Sequence, residues 1–173
     1  MRLSIIISVV LFLSAGKNGF SNSKEKELIE SVFFLIYNQQ YDKADSVLLT
    51  NNKQYGSFYS DVLKLDLYWW RYISSPSAGE TEKLIHLLKK PVKLDHPSPD
   101  EKLQQLISLS YRVRFELMRF NIPGAYILRT RIKNILTEIK RDELKYPKNR
   151  LKLFDLYNEL FLYFDNIINP LFL

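Results

Sequence analysis

Residue types that carry catalytic or metal chemistry are sparse in this chain, and none falls in a recognised spacing. The sequence has two histidines, His86 and His96, and no cysteine. Neither histidine stands in a metal-binding or hydrolase motif, and no phosphate-binding or dinucleotide-binding glycine pattern occurs. Asp155 and Glu159 lie four residues apart on one helix face, but Lys152 shares that face, which is typical of a solvated stripe. We therefore expect no catalytic residue, no metal ligand and no cofactor.

The positions of the cations say more about function than those of the histidines and carboxylates. Arg114 falls within the apolar stripe that runs from Leu103 to Met118 in a helical pattern. There its stem can pack while its head group snorkels or pairs with a carboxylate. The alternative is a cation that lines a groove and binds an acidic group of a partner, with further cations extending the patch. The candidate partner-binding residues are Arg114, Arg112, Arg129 and Lys133.

The first residues have the order of a secretory signal peptide. Arg2 is followed by an apolar run over residues 3–13 and then by the small residues "SAG". This run is shorter than the roughly 20 apolar residues that a transmembrane helix needs. We expect a leader over residues 1–22, with cleavage after Gly16 and later cuts left open; an uncleaved anchor or a buried helix is the alternative. Export would place the protein in the periplasm or at a membrane.

The net charge of +6 is unevenly distributed. Residues 102–150 contain 12 cations and four anions, whereas residues 24–101 contain 10 cations and 12 anions. Such a basic segment is either a solvated face or a surface for an anionic partner or a phospholipid. A nucleic acid is not expected, because the chain is expected to be exported and lacks motifs that interleave aromatic and basic residues.

Helical periodicity runs through the rest of the chain, and no stretch alternates between apolar and polar residues as a strand would. Breaks rich in proline, glycine and polar residues separate the helical segments. The clearest helix start is at Ser98, where Pro99 and Glu101 complete a capping box. The segment "YGSFYSDVLKLDLYWWRYISS" is apolar on two sides, so Trp69 and Trp70 are both expected to pack against neighbouring helices.

Alanine is rare, and its placement is informative. After the expected leader only Ala44, Ala78 and Ala125 occur. Ala44 and Ala125 each follow a bulky residue by three, Tyr41 and Ile122 respectively, just after a polar break. A small side chain there lets two antiparallel helices approach closely beside their turn. We therefore expect both methyl groups to be buried at helical joints.

The segment "QYDKADSVL" resembles the joint between the two helices of a tetratricopeptide repeat, and "NIPGAYIL" does so more loosely. In that family a turn residue, an aromatic residue and an alanine three residues later mark the joint. Tyr41, Ala44 and Leu48 stand at matching positions, whereas Gln39 replaces the family's turn glycine and Gly56 its closing proline. No exact repetition at the family's period occurs. The resemblance implies a right-handed array of helical hairpins with a concave binding surface.

These features predict an all-α protein with about seven helices in antiparallel hairpins. The helices form either a tetratricopeptide-like array or an irregular bundle, in a single domain over residues 23–173. The expected role is an exported interaction or scaffold module whose partner is a protein or peptide, with an acidic partner as one option. A structural protein in peripheral contact with a membrane surface is an alternative. A hydrolase with a site of scattered carboxylates is a second one.

Overall fold

The computed structural model describes residues 23–51, 57–89 and 97–168 of the chain. Every regular element in these ranges is helical, with seven α-helices, one short 3₁₀ helix and no strand. The predicted all-α fold is therefore confirmed. The expected leader over residues 1–22 and the second histidine, His96, lie outside the described residues.

The chain forms two compact units, and the boundary between them lies between Pro91 and Val92. The described helices of the first unit are α1 Ser23–Tyr37, α2 Tyr41–Thr50, α3 Ser57–Ser74 and α4 Ala78–Lys89. Helix α3 packs against all three of the others. This explains why its sequence is apolar on two sides, and Trp69 is buried and Trp70 half-buried, as expected. Whether the chain acts as the single array domain expected from its sequence stays a prediction.

The second unit is a hairpin of two long helices with a third helix packed on it. Its described elements are α5 Pro99–Met118, α6 Ile122–Arg141, a 3₁₀ helix Glu143–Lys145 and α7 Lys148–Ile168. Near the start of α7, Arg150 Nε donates to Asp100 Oδ1 at the start of α5, at 2.7 Å. Further along both helices, the rings of Tyr111 and Tyr157 lie 6.5 Å apart. Helix α7 therefore runs parallel to α5 and antiparallel to α6.

The start of α5 is held by the capping box that the sequence predicts. The Ser98 hydroxyl accepts a hydrogen bond from the backbone N–H of Glu101 at 3.3 Å, and the Glu101 carboxylate accepts one from the Ser98 N–H at 2.8 Å. At the start of α6, the Asn121 side chain accepts from the Gly124 N–H at 3.2 Å. Because these side chains satisfy N–H groups that lack a partner within the helix, both helices begin at defined residues.

The α1–α2 and α5–α6 joints share one backbone conformation. Gln39 and Phe120, each just after the first helix, have positive φ values of 59° and 57°. In each joint the next N–H donates back to a carbonyl five residues earlier, at 2.8 and 2.9 Å. Ala44 and Ala125 follow five residues after Gln39 and Phe120, and both are 0% exposed. The predicted burial of the two methyl groups is confirmed.

Met118 departs from the predicted apolar stripe. The other residues of the stripe pack as expected, and Leu103 and Leu106 are fully buried. Met118 is instead 50% exposed, because it is the last residue of α5 and lies at the edge of the stripe. Its expected place in the core is therefore wrong.

The buried alanines yield a test of close helix approach. Ala44→Leu and Ala125→Leu should each lower the free energy of unfolding by about 1–3 kcal/mol, because the added atoms overpack a filled joint. Ala78 is exposed at the start of α4, so Ala78→Leu should change the stability by less than about 0.5 kcal/mol. Urea unfolding followed by circular dichroism measures all three. Equal effects at the three positions would contradict close approach at the joints.

The positive φ of Gln39 predicts a stabilising substitution. Glycine adopts the left-handed region without steric strain, so Gln39→Gly should raise the free energy of unfolding by about 0.5–1 kcal/mol. Gln39→Ala is the matched control, because it shortens the side chain but keeps the Cβ atom. The urea midpoint should rise for the glycine variant alone; a rise of similar size for alanine would point to the side chain rather than to the backbone.

Candidate partner-binding groove

Three of the four cations expected to bind a partner converge on the last turns of α7. Arg129 donates from Nη2 to Asp165 Oδ2 at 3.1 Å, and its Nε also donates to the same carboxylate. The Lys133 ammonium lies 3.3 Å from Asp165 Oδ2. The side chains of Arg129 and Asp165 are only 13% and 14% exposed. These two cations therefore tie α6 to α7.

Arg114 lies between aromatic rings of α5 and α7. Its guanidinium carbon lies 4.8 Å from the ring centre of Tyr111 and 5.2 Å from that of Phe164 on α7. The side chain is half-buried, so its charge is held between two aromatic faces. Arg112, only two residues away, is half-buried on a different face of α5. The four predicted residues thus do not form one open patch, and a partner-binding role for them stays a prediction.

Hydrogen bonds set the protonation of the Asp165 cluster. Burial of Asp165 opposes ionisation, but the hydrogen bonds from Arg129 and Lys133 outweigh it and lower the pKa of the carboxyl group. The same bond to Asp165 raises the pKa of Arg129. Both groups are therefore charged at neutral pH.

A groove of about 760 Å³ lies on the hairpin between the first turns of α5, the second half of α6 and the 3₁₀ segment. Apolar surface comes from Pro97, Pro99 and Ile135, and seven of the eleven residues that line the groove bear charged or amide side chains. We call it the α5–α6 groove. Its lining residues that bear charge or amide groups are Lys102, Gln105, Arg131, Asn134, Glu138, Asp142 and Lys145.

An ion network occupies the end of the α5–α6 groove nearest the 3₁₀ segment. The Lys102 ammonium lies 3.0 Å from Glu138 Oε2 and 3.8 Å from Asp142 Oδ2. Lys145 lies 3.1 Å from the other oxygen of Asp142, and its hydrogen bond is the main reason that the pKa of Asp142 is lowered. Both carboxylates are thus charge-paired and shape the groove.

Hydrogen-bond donors remain at the surface of the α5–α6 groove. Arg131 and Asn134 are exposed, and Arg131 has no ion pair among the described residues. Burial, followed by the charges of Asp142 and Glu138, raises the pKa of Tyr146 to about 12, so its phenol stays protonated. Arg131 and Asn134 can hydrogen-bond a backbone carbonyl or a carboxylate of a bound chain.

The sequence contained part of the signal for this groove. Lys102 and Gln105 lie three apart on α5, and Arg131, Asn134 and Glu138 follow helical spacing on α6. Each set forms a polar stripe beside an apolar one, and the sequence alone predicts these two stripes. The sequence does not predict that the turn after α6 lies at one end of the groove and closes it.

A separate ion cluster joins three helices of the first unit. The Arg71 guanidinium lies 2.6 Å from Asp42 of α2 and 3.6 Å from Glu80 of α4, and its side chain is only 10% exposed. Asp45 is at 4.0 Å from the same group and is also 3.4 Å from the Tyr68 hydroxyl. Because one arginine on α3 binds carboxylates on both neighbours, the cluster acts as a tie between helices.

The histidine and carboxylate side chains considered for catalysis do not lie together. His86 is exposed on α4. Asp155, Glu159 and Lys152 are all exposed on α7, which confirms the predicted solvated stripe. Within the described ranges, no group of three or more histidine, aspartate and glutamate side chains is arranged to hold a metal ion.

Neither a search for membrane-spanning helices nor comparison with known proteins assigns a function. Of the helices that the structure describes, none combines the length and the apolar character that crossing a bilayer requires. The chain matches no protein-family model, no curated protein and no solved structure. The function must therefore be inferred from the groove and from the chain's own residues.

The Asp165 cluster predicts a pH-dependent contribution to stability. Asp165→Asn should lower the free energy of unfolding at neutral pH by about 1–2 kcal/mol, because charged hydrogen bonds to Arg129 and Lys133 are lost. The pKa of Asp165 is lowered by folding, so its contribution is full above the ordinary value of 3.8 and is lost as the pH falls through the lower folded value.

Urea unfolding of the wild type and of Asp165→Asn across acid pH measures this contribution. The two stabilities should converge as the pH falls. Asp155→Asn, an exposed carboxylate on the same helix, is the control and should leave the stability nearly unchanged. A difference for Asp165→Asn that persists undiminished to the lowest pH would show that packing, not charge, is responsible.

Proposed function

We propose that this protein is a non-catalytic, exported helical interaction module of tetratricopeptide-like type. It binds an extended acidic segment of a protein partner in the α5–α6 groove. The observation that carries the proposal is the groove, whose walls surround about 760 Å³ and include Arg131, an exposed cation without an ion pair in the described part of the chain.

The amide and charged side chains of the α5–α6 groove favour a peptide over a small organic molecule. Clefts for such molecules are of similar size, about 300–1,000 Å³, but are lined mainly by apolar and aromatic side chains. Here the walls carry two amide side chains, Gln105 and Asn134, together with cations and carboxylates. Amide side chains can both donate to and accept from a peptide backbone, so they suit an extended chain.

The charge balance favours an acidic segment. The groove has three cations against two carboxylates, and the carboxylates of Glu138 and Asp142 are held by Lys102 and Lys145. This leaves Arg131 as the charge available to a ligand. A guanidinium binds a carboxylate through two parallel hydrogen bonds, which adds direction to the charge attraction.

Two observations support the tetratricopeptide-like part of the proposal. Gln39 stands where the family has its turn glycine and adopts a left-handed φ of 59°. Ala44, at the family's alanine position, is fully buried, and the α5–α6 joint repeats both features at Phe120 and Ala125. Export rests on the leader-like order of residues 1–22, so the periplasm is the proposed compartment.

A hydrolase is less well supported. Glu138 and Asp142 converge on Lys102, but a hydrolase of the two-carboxylate type needs one carboxyl group with a raised pKa to act as general acid. The pKa of Asp142 is instead lowered, chiefly by its hydrogen bond to Lys145. The pair therefore suits an ion network that gives the groove its shape.

Selection from a display library of random short peptides tests the proposal. Peptides bound by the wild type should be enriched in aspartate and glutamate, and their affinity should fall at high salt. Arg131→Glu should weaken the selected peptides by about tenfold or more, because the charge attraction is reversed. Lys140→Glu is the matched control: it makes the same charge change on an exposed face of α6 outside the groove.

Two results would count against the proposal. One is the absence of acidic enrichment among the bound peptides. The other is an equal loss of affinity in Arg131→Glu and Lys140→Glu, which would mean that net charge rather than the groove binds the peptide. Circular dichroism of both variants should match the wild type, because both side chains are exposed.

A further inference from the structure

Exposed apolar side chains concentrate at one end of the second unit. Ten large hydrophobic side chains are exposed in the described part of the chain, and six of them belong to this end. They come from the α5–α6 turn, the early part of α6 and the last turns of α7. We call this cluster the apolar tip, and its members are Met118, Phe120, Tyr126, Ile127, Leu162 and Tyr163.

Contacts between helices bring these three parts to the same end. Phe164 of α7 lies 5.2 Å from the guanidinium of Arg114, one turn before the end of α5. Asp165 binds Arg129, whose guanidinium is 6.0 Å from the ring of Tyr126. The last turns of α7 therefore lie beside the α5–α6 turn, and the groove occupies the other end of the hairpin.

Phe120 is the most exposed member of the apolar tip, and its backbone conformation is costly. Its φ of 57° lies in the left-handed region, which glycine and asparagine adopt more readily than a bulky residue. Its side chain is 88% exposed, so little packing within the chain offsets this cost. A strained and exposed aromatic residue at a turn points to a contact outside the chain.

The surroundings of the apolar tip are basic. The segments that form this end, residues 112–129 and 160–168, contain four cations and two anions, Glu116 and Asp165. Arg119 lies within the tip, with its guanidinium 5.4 Å from the ring centre of the buried Phe115, while the residue as a whole is exposed. Apolar and aromatic groups beside arginine match the interfacial layer of an anionic bilayer, where acyl chains meet head-group phosphates.

We propose that the apolar tip inserts into the surface of a bilayer that contains anionic phospholipid and so attaches the protein peripherally. Charge complementarity selects this occupant, because the apolar side chains and the cations occur on the same end. A second copy of the chain fits less well. Two-fold pairing of two tips would bring the Arg119 side chains of the copies towards each other.

Attachment through the apolar tip leaves the Lys102 end of the α5–α6 groove accessible. Lys102 in the groove and Met118 in the tip lie about 24 Å apart along α5, at 1.5 Å per residue, whereas Arg131 follows Ile127 by about 6 Å on α6. A bilayer contacted by the tip therefore does not cover the Lys102 end of the groove, and Arg131 lies nearer to it. Peripheral attachment does not depend on peptide binding, so each can fail without the other.

A site-specific fluorophore tests the insertion in the full chain. The sequence has no cysteine, so Ile127→Cys places a single environment-sensitive label in the tip. Phe34→Cys, at a 64% exposed position on α1, is the matched control. The probe is a vesicle of phosphatidylglycerol and phosphatidylethanolamine, compared with one of phosphatidylcholine alone. A blue shift is expected for the label at position 127 with the anionic vesicle, decreasing at high salt, and none at position 34.

Second substitutions identify the side chains that contribute to vesicle binding. In the labelled Ile127→Cys chain, Phe120→Ser should weaken the vesicle titration by about tenfold, because a whole aromatic side chain no longer leaves water. Arg119→Gln should weaken it by about fivefold and reduce its salt dependence. Leu49→Ser, at a 66% exposed position of α2, should leave the titration unchanged.

The label reports only its own surroundings, so membrane binding by another segment leaves the readout unchanged. The proposal is overturned by three outcomes: no blue shift at position 127, equal shifts at positions 127 and 34, or a titration insensitive to Phe120→Ser. It is also overturned if light scattering shows that the copies associate through Phe120 without vesicles, or if only an acidic protein shifts the label.

Discussion

The second unit depends on how closely α5 and α6 approach beside their turn, and Ala125 sets that approach. Its methyl group is fully enclosed, and a side chain of this size at a helical joint permits a close approach that a larger one would prevent. From this contact the helices form the two walls of the groove on one side and the platform for α7 on another. Both surfaces would be displaced together if the helices were pushed apart.

The cations of the second unit divide according to what they contact. Arg129, Lys133 and Arg150 hold α7, while Lys102 and Lys145 belong to the ion network in the groove. A segment with 12 cations and four anions therefore presents a weaker external field than its count suggests. The charge that remains at the surface is placed differently at the two ends of the hairpin, so the proposed peptide site and the proposed lipid site use different cations, Arg131 and Arg119.

Local features of this fold could be predicted from the sequence, because each depends on residues close together in the chain. The all-α class follows from periodicity, the start of α5 from Ser98 and Glu101, and the buried joints from the spacing of alanines. The environment of Arg114 could not be predicted, since it depends on where Phe164 of α7 docks. The groove was missed for the same reason, because one of its ends is closed by the turn that follows α6.

Helix α7 is attached to the hairpin differently from the way that α5 and α6 are attached to each other. Arginine–carboxylate pairs fasten it near both ends, Arg150 to Asp100 and Arg129 to Asp165, in addition to its apolar contacts. Mobile ions weaken such a pair where it reaches water, as at Asp100, whose side chain is 44% exposed, whereas they hardly affect a contact between enclosed methyl groups. Amide protons of α7 should therefore exchange through a local opening before those of the hairpin. Higher ionic strength should make this local opening of α7 more frequent.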